Sequence, residues 1–206
     1  MLANFGLIRH AQTEMNLQGR IQGQLDSPLT DEGIRMAKLW GKSLLRYNWQ
    51  LILSSDLQRA IHTSELINES LKLPIKIIPE LKEQAWGRWS GLTLSEIHKT
   101  DKAYLEMWDF ENDWNYSPPD GESRNEVIER STGALKDFVK INFNSDNPLK
   151  GNILVITHAG VMRFIFLKLL GKNFSPENID YLKPDCINWL RLKNNNFQLG
   201  KLNEPV

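Results

Sequence analysis

Short apolar runs alternate along the chain with stretches in which apolar residues recur at helical spacing. The runs are Phe5–Ile8, Leu51–Leu53, Ile75–Ile78 and Ile153–Ile156, and Cys186–Leu192 is predicted to be an edge strand. Runs of this length that are apolar on both faces are typical of strands in a sheet covered by helices on both sides.

Four helices are predicted around these strands. Thr30 is expected to cap the first helix, because two acidic residues follow it and a cap hydroxyl accepts from a free backbone N–H. The second is predicted over Asp56–Leu71, the third over Ser123–Phe143, and the fourth follows Gly160 and stops at Gly171. Strands that alternate with helices predict an α/β fold, a three-layer sandwich with a mostly parallel central sheet.

The segment from about residue 84 to residue 120 differs from the rest of the chain. It holds four of the seven tryptophans, Trp86, Trp89, Trp108 and Trp114. We expect a small aromatic insertion packed over one end of the sheet. We find no interdomain linker, and 206 residues suit one α/β domain, so residues 1–206 are predicted to form a single domain.

The amino-acid composition limits the binding partners and the cellular location that we expect for the protein. The chain has 25 Lys plus Arg and 25 Asp plus Glu, and this balance argues against nucleic-acid binding through a global basic surface. Its one cysteine, Cys186, excludes an intramolecular disulfide. The most apolar later stretch, Val161–Leu170, is interrupted by Arg163 and Lys168 and is too short to span a bilayer. We therefore expect a cytoplasmic protein without a membrane partner, and the sequence does not indicate its oligomeric state.

Cationic side chains follow three of the predicted strands. Arg9 and His10 end the first, Arg59 begins the helix after the second, and His158 follows the Ile153–Ile156 strand. Ligands of open α/β sheets bind beyond the carboxyl ends of the strands, where helix N-termini also offer free N–H groups to anions. The pattern predicts a site for a phosphate or a carboxylate. Because arginine cannot ligate a metal and its charge repels cations, we expect no metal and no other cofactor.

The ordered motifs around these residues resemble the histidine phosphatase superfamily, the phosphoglycerate-mutase-like enzymes. The resemblance covers the chain from the first strand to about residue 171. Its motifs are Leu7–Thr13 with Asn16, Gln22-Gly23, Asp26–Gly33, Ser54–Ala60, Leu81–Glu83 with Trp86–Gly91, Asp120–Ser123 and Val155–Val161.

The resemblance implies a role for each matching residue. His10 would be the nucleophile that takes up the phosphoryl group. Arg9, Arg59 and His158 would hold the phosphate oxygens, with Asn16 and Ala159 contributing to binding and Gln22 on the substrate side. These groups suit phosphoryl transfer, which depends on positioning and on stabilising charge spread over three oxygens.

Glu83 would be the proton donor to the leaving oxygen, and the negative charge of a bound phosphate would favour its protonated form. Glu80 and Glu122 are nearby alternatives for this role. His62 and His98 lie outside the matching motifs, and we expect surface or packing roles for them.

The resemblance leaves several activities open. A mutase would need a longer and more basic insertion, whereas here it is short and acidic, with Glu106, Asp109, Glu111 and Asp113. This favours a phosphatase that acts on a small phosphorylated substrate. Among phosphatases, the chain resembles the α-ribazole-5′-phosphate phosphatases of cobalamin synthesis, and the tryptophans would either stack on a flat base or seal a small core.

Three alternatives remain: a phosphoglycerate mutase, a broad-specificity phosphatase of sugar and acid phosphates, and a non-catalytic protein that binds a phosphorylated ligand. Loss of His10 or Glu83 would be typical of the last, and both residues are present.

Overall fold

The computed structural model describes residues 2–103, 113–144, 146–172 and 182–206. The strands are β1 (Leu2–Arg9), β2 (Trp49–Ser54), β3 (Ile75–Ile77), β4 (Asn152–Thr157), β5 (Cys186–Lys193), β6 (Asn196–Leu199) and β7 (Glu204–Pro205). The helices are α1 (Glu14–Leu17), α2 (Asp31–Leu44), α3 (Gln58–Leu71), α4 (Leu94–Thr100), α5 (Arg124–Asn142) and α6 (Ala159–Leu169). Short 3₁₀ turns cover Pro79–Leu81 and Gly87–Trp89.

The strands form one mixed sheet in the order β3-β2-β4-β1-β5-β6, with β7 paired to β5. Strands β3, β2, β4 and β1 run parallel to one another. Strand β5 runs antiparallel to β1, β6 and β7. The carboxyl ends of β1, β2 and β4 therefore meet at one edge of the sheet, where the cationic residues follow.

The prediction that Cys186–Leu192 is an edge strand is wrong. Strand β5 lies inside the sheet, because β6 turns back and pairs with its outer side. Asn194 and Asn195 both have positive φ, 50° and 64°, which is the backbone conformation of a two-residue hairpin turn that asparagine tolerates.

Helices cover both faces of the sheet, as the three-layer prediction requires. Alternate strand residues point to opposite faces, so Leu7 and Val155 pack in one core cluster and Ile8 and Ile156 pack in the other. The first cluster includes residues of α5 and α6, and the second includes residues of α2 and α3. Within the described ranges, no helix is long and apolar enough to cross a membrane.

The predicted helices are present with small shifts at their ends. Thr30 caps α2 by accepting from Gly33 N at 2.9 Å, and Ser123 caps α5 in a capping box with Glu126. Helix α3 begins at Gln58 rather than Asp56, because Leu57 is extended and the distant Asp26 carboxylate accepts the first helical N–H groups.

Candidate active site

His10 follows β1 directly and is 5 % exposed. Its Nδ1–H donates to Ala11 O at 2.8 Å, and its Nε2 accepts from Arg59 Nε–H at 3.2 Å. Burial, and then the charges of Arg9 and Arg59, hold the pKa of His10 well below 6.5. The ring is therefore neutral at neutral pH, with its lone pair on Nε2, the form that a nucleophilic imidazole needs.

Arg59 lies in the first turn of α3 and is 2 % exposed. Besides His10, its guanidinium donates to Gly23 O at 2.6 Å and to Leu25 O at 2.7 Å, and it pairs with Asp26 at 3.2 Å. Burial lowers its pKa, and the charges of Glu83 and Asp26 oppose that change. These contacts fix the guanidinium against Nε2 of His10.

Arg9 ends β1 beside His10. Its Nε is buried and has no hydrogen-bond partner in the described structure. Burial lowers its pKa, and the carboxylates of Glu83 and Asp185 partly offset this effect. A buried guanidinium N–H without a partner is unfavourable in the unliganded protein, so Arg9 offers a donor for an incoming anion.

His158 is fully buried, and its ring centroid lies 5.1 Å from that of His10. Its Nε2 lies 2.8 Å from Ser55 Oγ, and its Nδ1 is buried without a partner in the described structure. Burial, and then the positive charges of nearby groups, Arg59 and Arg9 among them, hold the pKa of His158 well below 6.5. Two neutral histidines therefore lie side by side near the guanidinium groups of Arg9 and Arg59.

Glu83 reaches the same site from the loop that follows the 3₁₀ turn Pro79–Leu81. Its Oε1 accepts from Gln84 N at 2.9 Å, and its Oε2 accepts from Gly160 N, at the start of α6, at 3.1 Å. A Cβ at Gly160 would collide with Glu83 Oε1, so a larger residue there would displace this carboxylate. The carboxylate is thus held by backbone N–H groups and faces the cationic residues.

The predicted site residues converge on one cavity of about 160 Å³. Seven of the eight line it: Arg9, His10, Asn16, Gln22, Arg59, Glu83 and Ala159. The eighth, His158, lies behind His10 in ring contact. A neighbouring cavity of about 360 Å³ shares Arg9, His10 and Asn16 and extends toward Trp40 and Asp185, which gives space beside the cationic residues.

The remaining candidates lie elsewhere. Glu122 is bound by Arg130 and Ala85 N, and Glu80 is exposed, so neither alternative lines the cavity that Glu83 lines. His62 and His98 are exposed, as expected for surface residues. Among the described residues, no group of three or more His, Cys, Asp or Glu side chains is arranged to hold a metal ion.

The tryptophans of the 84–120 segment divide between two roles. Trp89 is fully buried in the core, and Trp114 packs against that core, so both agree with the prediction that the tryptophans seal a small core. Trp86 packs there too, but it also lines the 160 Å³ cavity, which brings part of the segment over the site. Trp108 and the acidic residues Glu106, Asp109 and Glu111 lie outside the described residues.

Asp26 and Ser55 support the site but were assigned no role from the sequence. Asp26 fixes Arg59 and the start of α3, and Ser55 contacts His158. Both lie within motifs that carried the family resemblance, which was the available signal. Their contacts join residues 33 and 103 positions apart, so no local pattern predicts them.

Comparisons with known proteins agree with this geometry. The model of the histidine phosphatase superfamily (branch 1) matches residues 5–205. Adenosylcobalamin/alpha-ribazole phosphatase of Escherichia coli is 32% identical over 169 residues, which cover 80% of this chain and 78% of that protein. Metal-independent phosphoserine phosphatase of Arabidopsis thaliana is 35% identical over 167 residues, or 79% of this chain and 67% of that protein.

A solved structure is also similar to the whole chain. The structure of a putative alpha-ribazole-5′-P phosphatase from Escherichia coli superimposes with a TM-score of 0.78 and 28% identity, covering 98% of this chain and 96% of that one. The relatives thus share a name as phosphatases but differ in the substrates that their names give.

Proposed function

The chain belongs to the histidine phosphatase superfamily and is a phosphatase of small molecules, and on that premise we propose that it hydrolyses phosphomonoesters through a phosphohistidine on His10 without a metal. The observation that carries this proposal is the fixed tautomer of His10, whose Nδ1–H is bound to Ala11 O. Its Nε2 carries the lone pair, which accepts from Arg59 Nε–H, and both residues line the cavity.

In the first step, the Arg59 Nε–H shifts from Nε2 of His10 to a phosphoryl oxygen, the freed Nε2 attacks phosphorus, and the bond from phosphorus to the ester oxygen breaks. Arg9, Arg59 and the neighbouring His158 stabilise the charge on the three phosphoryl oxygens, and Asn16 and the N–H of Ala159 add donors. Glu83, in its protonated form, gives its proton to the leaving oxygen, because an alkoxide is too basic to leave unaided.

In the second step, water attacks the phosphoryl group and the bond from phosphorus to nitrogen breaks. Glu83, now a carboxylate, takes the proton of the attacking water. The products are inorganic phosphate and neutral His10, and Glu83 returns to its protonated form. Glu83 lines the same cavity as His10, as both transfers require.

The mechanism is tested by trapping the intermediate. With a labelled phosphomonoester in the presence of a chelator, we expect turnover to persist and an acid-labile, alkali-stable phosphoenzyme to form. The His10→Ala variant should lose both the label and turnover, by at least about 10⁴-fold. Turnover that requires an added metal, or unchanged turnover in His10→Ala, would contradict the mechanism.

The proposed substrate is α-ribazole 5′-phosphate. The names of the Escherichia coli relative and of the similar structure support it, as does Trp86, which could stack on a flat base from its place on the cavity wall. We expect kcat/KM for this ester to exceed that for phosphoserine and for sugar phosphates. Trp86→Leu should reduce that preference, whereas a variant with an unchanged preference would contradict base stacking.

A matching assay addresses the alternative activities and the location. Phosphoryl transfer to phosphoglycerates at a rate comparable to hydrolysis would favour a mutase, and binding without turnover would favour a phospho-ligand-binding protein. The proposal includes the cytoplasmic location expected from the sequence, which fractionation of cells expressing the chain would test.

A further inference from the structure

The loop that carries Glu83 contains little regular structure of its own. It runs between the 3₁₀ turns Pro79–Leu81 and Gly87–Trp89, and the Glu83 carboxylate is held by the backbone N–H groups of Gln84 and Gly160. The position of this carboxylate relative to His10 therefore depends on whatever fixes the backbone of the loop.

Arg130, in the second turn of α5, binds that backbone at three points. Its Nη1 donates to Glu80 O and, at 2.8 Å, to Lys82 O, and its Nη2 donates to Glu83 O at 3.1 Å. One planar guanidinium thus fixes the carbonyls on the N-terminal side of Glu83, and the side chain of Arg130 is only 16% exposed.

Glu122 fixes Arg130 and also binds the other side of the loop. Its two carboxylate oxygens accept from Arg130 Nε at 2.8 Å and Nη2 at 2.9 Å, which is a bidentate pair. The same carboxylate accepts from Ala85 N at 2.8 Å, and Glu122 O accepts from Gln84 Nε2 at 2.7 Å. The pair therefore holds the chain on both sides of Glu83.

We propose that Arg130 and Glu122 are positioning residues that hold Glu83 in place for proton transfer to the leaving oxygen. The inference rests on the proposed function, since it assigns that transfer to Glu83. Neither residue lines the cavity, and both bind the loop that carries Glu83, so we assign them a role that acts through Glu83. Proton transfer requires hydrogen-bond distance, and a displacement of about 1 Å can reduce a rate about 100-fold.

The test uses the basicity of the leaving group. Protonation is needed for an alkoxide but not for 4-nitrophenolate, which leaves readily as the anion. We would measure phosphorylation of His10 in the first turnover by rapid mixing, with glycerol phosphate and with 4-nitrophenyl phosphate. This isolates the first step from hydrolysis of the phosphoenzyme, in which Glu83 also acts.

For Arg130→Gln and Glu122→Gln we expect the glycerol phosphate rate to fall at least about tenfold and the 4-nitrophenyl phosphate rate to stay within about twofold. Arg130→Lys should recover only part of the loss, because one ammonium group cannot span three carbonyls and a carboxylate. The matched control is Arg88→Gln, which removes the exposed Arg88–Asp120 pair from the same segment and should change neither rate.

Equal losses with the two esters in variants whose melting temperatures match the wild type would overturn the inference, as would no loss with either. If Arg130→Gln does not fold, Glu122→Gln and Arg130→Lys decide by the same ratio of rates. Failure of the proposed function has a different signature: the wild type would form no phosphohistidine from either ester, or His10→Ala would still release 4-nitrophenolate at the wild-type rate.

Discussion

His10 and Glu83 reach the same cavity by different structural routes. His10 follows a central strand, and β4 beside that strand binds its backbone, where His10 N donates to Thr157 O at 2.9 Å. Glu83 lies on a loop that α5 and the start of α6 hold from outside the sheet. The group that needs one fixed orientation is thus built on the sheet, whereas the group that gives and takes a proton is held by side chains distant in sequence.

We therefore distinguish the side of the cavity built on the strands, with Arg9, His10 and Arg59, from the side that carries Glu83. Substitutions on the two sides should reduce activity in different ways. Substitutions on the side built on the strands should slow phosphoryl transfer from every phosphomonoester, because all of them carry the same phosphoryl group. Substitutions on the Glu83 side should slow phosphoryl transfer more for esters whose leaving oxygen is more basic. The ratio of rates for an alkyl and an aryl ester therefore tells which side a variant has affected.

After the loss expected for His10→Ala, the largest effect is expected for Arg59→Lys, which keeps the charge but loses the planar donor set. Arg59 binds His10 Nε2 and the carbonyls of Gly23 and Leu25, and an ammonium group cannot reach all of them. We expect kcat/KM to fall about 10³-fold for alkyl and aryl esters alike. A loss confined to alkyl esters would contradict the assignment of Arg59 to the phosphoryl oxygens.

Glu83→Gln should remove proton transfer to the leaving oxygen while leaving the cationic residues in place. The amide oxygen can still accept from one of the two backbone N–H groups, so we expect the fold to persist. The first-turnover rate should fall at least about 10²-fold with an alkyl ester and little with 4-nitrophenyl phosphate. Glu80→Gln is the matched control, and a larger effect there would return the role to the exposed alternative.

The same difference explains what the sequence could predict. Arg9, His10 and His158 follow apolar runs whose ends meet in any parallel sheet, so the strand pattern alone brought them together. The choice of Glu83 over Glu122 came only from the family resemblance. Both are acidic residues in loops, and the contact that separates their roles joins Arg130 to carbonyls 47 to 50 positions away.

Other features were missed for related reasons. Strand β6 was not predicted because its polar sequence shows no apolar run, although the asparagine pair before it is a hairpin signal. Helix α1 has four residues, too few for any periodicity, and only its capping box between Thr13 and Asn16 marks it. Helix α1, which has no buried residue, is therefore fixed by its cap rather than by burial.

The pH dependence of the free energy of unfolding tests the two buried histidines on the side built on the strands. Burial lowers the pKa of His10 and of His158 in the folded state, whereas both return to about 6.5 on unfolding. The unfolded chain therefore binds more protons below pH 6.5, and the free energy of unfolding falls as the pH falls. Each histidine contributes up to about 1.4 kcal/mol per pH unit between pH 6.5 and the lower folded pKa.

Denaturant unfolding between pH 7 and pH 5.5 measures this slope. The slope should decrease in His10→Asn and in His158→Asn, because each variant removes one buried titrating group. His62→Asn, at an exposed position, is the control for replacing a histidine outside the site. Stability that is flat over this range in the wild type would contradict the neutral state assigned to the two buried rings.

The smallest effect is expected for Ser55→Ala, which tests the side built on the strands at its least direct contact. Ser55 Oγ lies 2.8 Å from His158 Nε2 and accepts from Leu57 N, so its hydroxyl proton is free to donate to that ring nitrogen. This donation would put the ring proton on Nδ1, the buried nitrogen without a partner, where it can serve a phosphoryl oxygen. Loss of one such hydrogen bond is worth about 1–1.5 kcal/mol, so kcat/KM should fall about tenfold, equally for alkyl and aryl esters.

The control is Ser54→Ala, because the Ser54 hydroxyl donates to Ser55 O and not to His158. A loss in Ser55→Ala that depends on the leaving group would place Ser55 with Glu83 instead, and the division between the two sides would fail.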